Sequence, residues 1–186
     1  MKNTYLTGYL PFLAILLFSL SLAIYVEDTI IGFLKQIGIY QGMLGIISGS
    51  ELKLIVIVGL IAVFFMFLSA LKVVAETINE LALLFFSVDT DGDILKNVRN
   101  GSLIFFAGGL FSLFSYLSII GIAVIFLLTV LGYFVYFVYK VSPSLTTSFR
   151  LVGFICFQIV VWGFITSTLL FIILKIYNTA MAGLPV

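Results

Sequence analysis

Four polar side chains recur one helical turn apart near the middle of the chain, within a stretch that is otherwise almost wholly apolar. Lys72, Glu76, Asn79 and Glu80 occur in SALKVVAETINELALLFF, residues 69–86. Because residues three or four positions apart share one face of an α-helix, these side chains form a row, here called the polar stripe. Inside a membrane, an ammonium group beside carboxylates usually marks an ion or proton pathway, since an unpaired buried charge is costly. At the membrane surface, the same row would only be the polar face of a helix entering water.

The composition indicates an integral membrane protein. Of the 186 residues, 63% are hydrophobic and 9% are charged, and the mean hydropathy is +1.32. Soluble domains carry about 25% charged residues. Apolar runs of about 20 residues, the length at which a helix crosses the hydrocarbon core, recur along the chain, and the alternating pattern of a membrane barrel is absent. We therefore predict an all-α, polytopic protein whose residues 1–186 form a single transmembrane domain.

The apolar runs predict about five transmembrane helices. Three of them cover residues 8–26, about 54–71 and 151–174. The other two come from residues 100–139, a run of 40 residues without charge. One helix of that length would measure ~60 Å, about twice the thickness of the hydrocarbon core, so the run must fold back on itself. Tyr116, Ser118 and Gly121 mark the expected turn.

The segment 30–49 combines many glycines with charge. It contains Lys35, Gln36, Gln41 and five glycines, two pairs of which have the four-residue spacing that lets helices approach closely in lipid. On a helical wheel, its large apolar residues group opposite Lys35 and Gln36, a pattern typical of helices that lie in the membrane interface. We predict an amphipathic interfacial or re-entrant helix here, with a sixth membrane span as the alternative.

The lysines and arginines indicate the orientation of the chain, because positively charged flanks resist translocation. The acidic segment 87–100 separates the second main span from the third. With five or six spans, the positive residues nearest this segment share one side of the membrane: Lys72, Lys96, Arg99, Lys140 and Arg150. We therefore predict that 87–100 is a cytoplasmic loop. The side on which Lys2 lies depends on whether segment 30–49 crosses the membrane.

The same loop partly resembles a calcium-binding loop. Asp89, Asp91 and Asp93 match the first three carboxylate positions of an EF-hand. The position that must turn sharply and requires glycine is Ile94, and the twelfth position is Asn100, which cannot chelate as a glutamate does. We therefore predict a solvated turn without a metal site.

The residues that most enzyme chemistry requires are missing. The sequence has no histidine, which excludes a His-dependent triad and most zinc sites. Its one cysteine, Cys156, lies in an apolar run without a neighbouring base, so a reactive thiolate is not expected. We predict neither catalysis nor a cofactor. Gln158, Ser112 and Gly108 lie in apolar spans and are predicted to be helix-packing contacts.

The polar stripe therefore has two interpretations. A helix over residues 54–71 already spans ~27 Å, so Lys72 can reach the headgroups while Glu76 and Glu80 lie in water. We favour this interfacial position over an intramembrane relay. The sequence LALLFF that follows, residues 81–86, is apolar on all sides, so it must lie at the membrane interface or pack against a partner protein.

These features favour a non-catalytic membrane protein that acts through protein contacts, as an accessory subunit or regulator docked through the polar stripe and LALLFF. The alternative is a small transporter or channel that uses Lys72, Glu76 and Glu80 and works as an oligomer, because five helices with few polar residues line a poor pore alone. The expected partners are the lipid bilayer and a membrane protein or a second copy of the chain. The lack of a basic block gives no indication of nucleic acid.

Two stretches of the sequence resemble a known family. MKNTYLTGYLPFLAILLFS at the start and ALKVVAETINELALLFFS, residues 70–87, are similar to the YufK-like proteins of Gram-positive bacteria, a family of small membrane proteins. The resemblance extends over most of the chain and brings no catalytic motif. It implies a location in the bacterial plasma membrane and leaves the molecular role open.

Overall fold

The regular elements of the structure, a computed structural model that describes residues 4–88 and 98–182, are all helical. The α-helices are α1 Thr4–Gln36, α2 Ile39–Leu44, α3 Gly49–Phe86, α4 Ser102–Phe114, α5 Ile119–Val141 and α6 Ser148–Ala182. Short 3₁₀ turns, Arg99–Gly101 and Ser142–Ser144, precede α4 and follow α5. The described residues contain no strand, and the predicted all-α class is confirmed.

Among the described residues, four helical segments are long and apolar enough to cross a membrane: Gly8–Gln36, Gly49–Phe86, Ile119–Ser144 and Ser148–Thr179. The predicted number of about five is therefore not confirmed. The difference arises within residues 100–139. The chain turns back there between Phe114 and Ile119, as predicted, but the turn divides the run unequally. Helix α4 has 13 residues and a length of ~20 Å, shorter than the ~30 Å hydrocarbon core.

The glycine-rich segment 30–49 is not one helix. Its first residues continue α1 as far as Gln36, and Gly38 then adopts a left-handed conformation (φ 79°) that ends the helix without steric cost because glycine has no Cβ. The six-residue helix α2 follows. The predicted amphipathic helix was therefore wrong in its extent, because the helical wheel was drawn through a residue that breaks the helix. Helix α2 is also much too short for a sixth span.

Helix α3 is continuous for 38 residues, and a capping box fixes its start. The backbone N–H of Ser48 donates to Glu51 Oε2 over 2.8 Å, and the backbone N–H of Glu51 donates to Ser48 Oγ over 3.3 Å. This reciprocal pair satisfies two backbone groups that the first turn of a helix otherwise leaves without partners. The apolar residues 54–71, the polar stripe and LALLFF therefore belong to the same helix.

The helices group into two compact units. The first contains the described residues 4–73 and 98–141, and the second contains 74–88 and 142–182. In the first unit, α1 is the most buried helix, with a buried residue at nearly every turn: Leu10, Ala14, Phe18, Ser21, Ala23, Glu27 and Ile31. Helix α3 is antiparallel to α1, because Phe12 meets Phe65 at a ring-centroid distance of 5.4 Å while Glu27, later in α1, meets Lys53, earlier in α3.

Helix α4 packs parallel to α1 through small residues. Gly109 lies so close to α1 that a Cβ built on it would be 3.0 Å from the Cβ of Leu17. One turn further along, the hydroxyl oxygens of Ser21 and Ser112 are 2.7 Å apart, and both serines are fully buried. In a membrane, small residues that allow close approach, and hydroxyls that form hydrogen bonds between helices, are the main attractions between apolar helices.

Helix α5 returns antiparallel to α4. A Cβ built on Gly108 would overlap the side chain of Thr129, whose methyl carbon would be 2.7 Å away. The Thr129 hydroxyl donates to the carbonyl of Ile125 over 2.7 Å, so it is satisfied within α5. At the turn, Ser118 caps α5, because its Oγ accepts the backbone N–H of Gly121 over 3.2 Å. The α4–α5 pair is therefore a close-packed hairpin.

Gly108→Ala is expected to destabilise the protein by ~1–3 kcal/mol, because the added methyl group would overlap Thr129 in a contact that is already close-packed. The matched control is Gly59→Ala on α3. A Cβ at Gly59 meets nothing within 4 Å, and alanine is the better helix former. Thermal unfolding in a mild detergent measures both variants. A wild-type melting temperature for Gly108→Ala would contradict the close packing of α4 on α5.

Candidate functional site

Helix α3 exposes part of the polar stripe and buries the opposite side. Ile78 and Ala82 are 5% and 0% exposed and form the buried side of this part of the helix. Asn79 is partly buried at the edge of that side, whereas Glu76 and Glu80 are exposed. Lys72, one turn before Glu76, is partly buried. The two carboxylates are therefore not enclosed by the described residues of this chain.

A hydrogen bond between two amides joins the stripe to α6. Gln158 Nε2 donates to Asn79 Oδ1 over 2.8 Å, and Gln158 is 2% exposed. The two helices are antiparallel in the second unit, because Val88, two residues after the end of α3, donates its backbone N–H to the carbonyl of Ser144, before α6 begins, over 3.3 Å. The bond gives each amide a partner, which offsets the cost of placing a glutamine in an apolar span.

The sequence LALLFF packs partly against the chain itself. A Cβ built on Gly153 of α6 would come within 2.6 Å of the Phe86 ring, so only glycine leaves room for this ring. The rings of Phe85 and Phe86 lie 5.9 and 6.1 Å from that of Phe157, a distance at which aromatic pairs attract. Leu84 is 75% exposed. Helix α6 therefore covers one side of LALLFF, and the other side is left for lipid or a partner.

The three residues predicted to be helix-packing contacts occupy two different contacts. Ser112 donates to the carbonyl of Gly109 over 2.7 Å and contacts Ser21 in the first unit, where Gly108 also faces α5. Gln158 belongs to the second unit and bonds to the polar stripe. The structure therefore brings Gln158 and Asn79 together, a pairing that the sequence patterns did not predict.

Most of the loop 87–100 lies outside the described residues. These residues, 89–97, include the three aspartates whose spacing resembles a calcium loop, as well as Lys96. The described part resumes at Val98, which is 5% exposed, and Arg99 then begins the 3₁₀ turn that leads into α4.

A buried carboxylate that the sequence patterns did not predict lies between α1 and α3. Glu27 is 7% exposed, and its Oε1 is sealed from solvent and accepts no hydrogen bond from the described residues. The ammonium group of Lys53 is 3.4 Å from this oxygen, at ion-pair distance but without hydrogen-bond geometry, and the Lys53 side chain is half exposed. The same ammonium is 4.0 Å from the exposed Asp28. Two carboxylates of α1 therefore share one lysine of α3.

This ion pair can hold two helices together or take part in charge movement. Charged side chains within membrane helices usually face the interior of a bundle, pair with one another and mark ion or proton paths. From sequence, Glu27 only marked the end of the first apolar run. Helical spacing could have indicated that Glu27 is buried. Glu27 lies four residues after Ala23 and four before Ile31, and both of these residues are buried on the same side of α1.

Replacing one member of the amide pair is expected to lower stability. Asn79→Leu or Gln158→Leu alone should cost ~0.5–2 kcal/mol, because the remaining amide loses its partner in an apolar contact. The double variant should cost less than the sum of the two, since no amide is then left unpaired. Gln41→Leu, at an exposed position of α2, controls for added hydrophobicity. Strictly additive changes in detergent melting temperature would show that the two amides do not interact.

Lys53→Ala is expected to destabilise the protein because it leaves the carboxylate of Glu27 buried without a counter-charge. Removing one partner of a fully buried pair costs about 3–5 kcal/mol, and we expect ~1–3 kcal/mol here because water screens the half-exposed lysine. Glu27→Leu combined with Lys53→Ala should recover most of the loss. Lys35→Ala, at an exposed lysine 5.0 Å from the Tyr40 ring, is the control. Equal melting temperatures for the two lysine variants would contradict the ion pair.

Similarity to known proteins identifies the family. Residues 27–185 match the model of a protein family described as Family of unknown function (DUF5366). Over 186 residues, 100% of each chain, the sequence is 43% identical to the Uncharacterized membrane protein YufK of Bacillus subtilis. No solved structure matches the chain. The resemblance seen in the two quoted stretches is thereby confirmed: the chain is a membrane protein and belongs to the DUF5366 family.

Proposed function

We propose that this protein is a non-catalytic accessory subunit or regulator that binds another membrane protein through the exposed edge of the polar stripe. One observation carries the proposal. The hydrogen bond that Gln158 donates to Asn79 and the Phe86 contact with α6 fix one side of α3, while Glu76 and Glu80 stay exposed on the other. The two exposed carboxylates are thus held in a fixed position on a helix that is anchored on its other side.

The chemistry of this edge suggests the kind of partner. Glu76 and Glu80 lie one turn apart, and Val73 and Leu84 are exposed beside them on the same helix. A partner helix with lysine or arginine at the matching depth, flanked by apolar or small residues, would complement both charge and surface. No cofactor is needed for such a role, and the lack of histidine in the sequence agrees with it.

The test is affinity purification in a mild detergent from the native host, followed by mass spectrometry. The wild type is expected to retain one membrane protein in stoichiometric amount. Glu80→Lys should lose it, because the reversed charge would repel a basic partner. Asp28→Lys is the matched control, since Asp28 is an exposed carboxylate of α1 away from the stripe in sequence. Equal loss, or equal retention, of the partner in both variants would contradict docking through the stripe.

A second candidate function is a small oligomeric transporter or channel, which the buried Glu27 favours because ionisable groups within membrane helices often lie on ion paths. The same purification separates the two candidates. A homo-oligomer without a second protein would support transport, whereas a stoichiometric partner would support the accessory role.

We further propose that the protein lies in the bacterial plasma membrane with loop 87–100 in the cytoplasm. The support is the distribution of lysine and arginine, together with the closeness of Gly8 to Arg99: a Cβ on Gly8 would be 3.4 Å from Arg99 Nη2. The start of α1 therefore lies at the same end of the first unit as Arg99. A cysteine at Gly92 should react with a membrane-impermeant thiol reagent only in inside-out vesicles. Labelling in intact cells would overturn this orientation.

A further inference from the structure

Two exposed cations that are distant in sequence lie at the same end of the α4–α5 hairpin. Arg99 begins the 3₁₀ turn that leads into α4, and Lys140 is in the last turn of α5. Both side chains are exposed, and within the described residues neither is paired with a carboxylate. The sequence has no basic block, so the fold alone places these two residues at the same end of the hairpin.

Tyr136 is the neighbour that the two cationic segments share. A Cβ built on Gly101, two residues after Arg99, would be 3.0 Å from the Tyr136 ring and 2.7 Å from the Tyr133 ring, so the turn lies directly against these rings. The ammonium group of Lys140 is 5.8 Å from the centroid of the Tyr136 ring, within the range of a cation–π contact. The turn that begins at Arg99 and the ammonium group of Lys140 therefore both lie next to one aromatic side chain.

The backbone beneath the two cations is well fixed. Val98 and Ser102 are 5% and 8% exposed, and the Ser102 hydroxyl donates to the carbonyl of Arg99 over 2.9 Å. The Arg99 guanidinium also lies beside Gly8 of α1. Arg99 and Lys140 remain exposed, so their charged groups are accessible to a ligand.

The surroundings of this pair are those of a membrane surface. Tyr133, Tyr136 and Tyr139 occur together at the end of an apolar helix, which is where tyrosines concentrate at the level of the lipid headgroups. Below Tyr139, which is 5.9 Å from the Lys140 ammonium, α5 carries a row of exposed apolar side chains at intervals of three or four residues: Val135, Leu131, Leu128 and Val124. Cations above an exposed apolar row match a phosphate headgroup above an acyl chain.

We propose that Arg99 and Lys140 bind the phosphate group of one anionic phospholipid at the membrane surface, with its acyl chain along the exposed row of α5. The planar guanidinium suits two phosphate oxygens at once, and the Lys140 ammonium adds a point charge beside Tyr136. An anionic headgroup is preferred to a zwitterionic one because the latter would bring its own cation to a site that already holds two. The proposal does not depend on a protein partner.

The test uses the purified full chain in a neutral detergent, supplied with phosphatidylglycerol or phosphatidylcholine. Native mass spectrometry should show preferential retention of phosphatidylglycerol by the wild type, and phosphatidylglycerol should raise its melting temperature more than phosphatidylcholine. Arg99→Gln with Lys140→Gln should abolish both preferences, and each single variant should reduce them. Lys35→Gln is the control, because Lys35 also lies over a tyrosine ring but has no second cation identified beside it among the described residues. It should retain the wild-type preference.

Three results would overturn the proposal. The first is an undiminished preference for phosphatidylglycerol in a double variant that remains folded in phosphatidylcholine. The second is an equal rise in melting temperature with inorganic phosphate at the same concentration, since this would show that the site takes any phosphate and does not require a lipid. Loss of the preference in Lys35→Gln would likewise assign the effect to overall charge and contradict a specific site.

Discussion

Close contact at glycine and serine residues holds the first unit together. Lipid tails are as apolar as leucine, so no hydrophobic force drives the helices together, and their association depends on close packing and hydrogen bonds. Gly109 lets α4 approach Leu17 of α1, and the buried hydroxyls of Ser21 and Ser112 meet one turn later. This contact determines that α1 and α4 are parallel. The start of α1 therefore lies beside Arg99 at one end of the unit.

Three pairs of polar groups link different helices of this apolar chain. Two serines join α1 to α4, two amides join α3 to α6, and an ion pair joins α1 to α3. Such pairs contribute modest free energy in a membrane, because an unassembled helix also finds other partners for its polar groups. Their larger effect is on specificity. Two polar side chains on different helices can interact only where they face each other, whereas apolar surfaces can slide past one another.

The sequence predicts local features of this fold better than contacts between helices. Apolar runs predict the all-helical class and the reversal of the chain between Phe114 and Ile119. Short stretches of similar sequence predict the family. The break at Gly38 was missed because a helical wheel assumes that the helix continues, and the left-handed conformation of one glycine ends it. The length of α4 depends on where the turn falls within a run of uniform composition, which hydropathy does not show.

The candidate site was predicted only in part for the same reason. The polar stripe could be recognised by its spacing, and Gln158 by its rarity in an apolar span, but their pairing depends on how α3 and α6 are aligned. Glu27 was interpreted as the end of a span because its charge interrupts the hydropathy of α1. The structure shows that the helix continues and that Lys53 offsets the charge. The juxtaposition of Arg99 and Lys140 likewise depends on the hairpin between them.

The length of α3 links the chain to the thickness of the bilayer. Its 38 residues extend ~57 Å, nearly twice the hydrocarbon core, so the helix must either project from the membrane or tilt steeply within it. Hydrophobic mismatch of this kind is relieved by tilt, by local deformation of the bilayer or by movement of flanking polar residues. A thicker membrane would draw Glu76 and Glu80 toward the hydrocarbon, and a thinner one would release them into water. The depth of the two carboxylates is therefore a property of the lipid as much as of the protein.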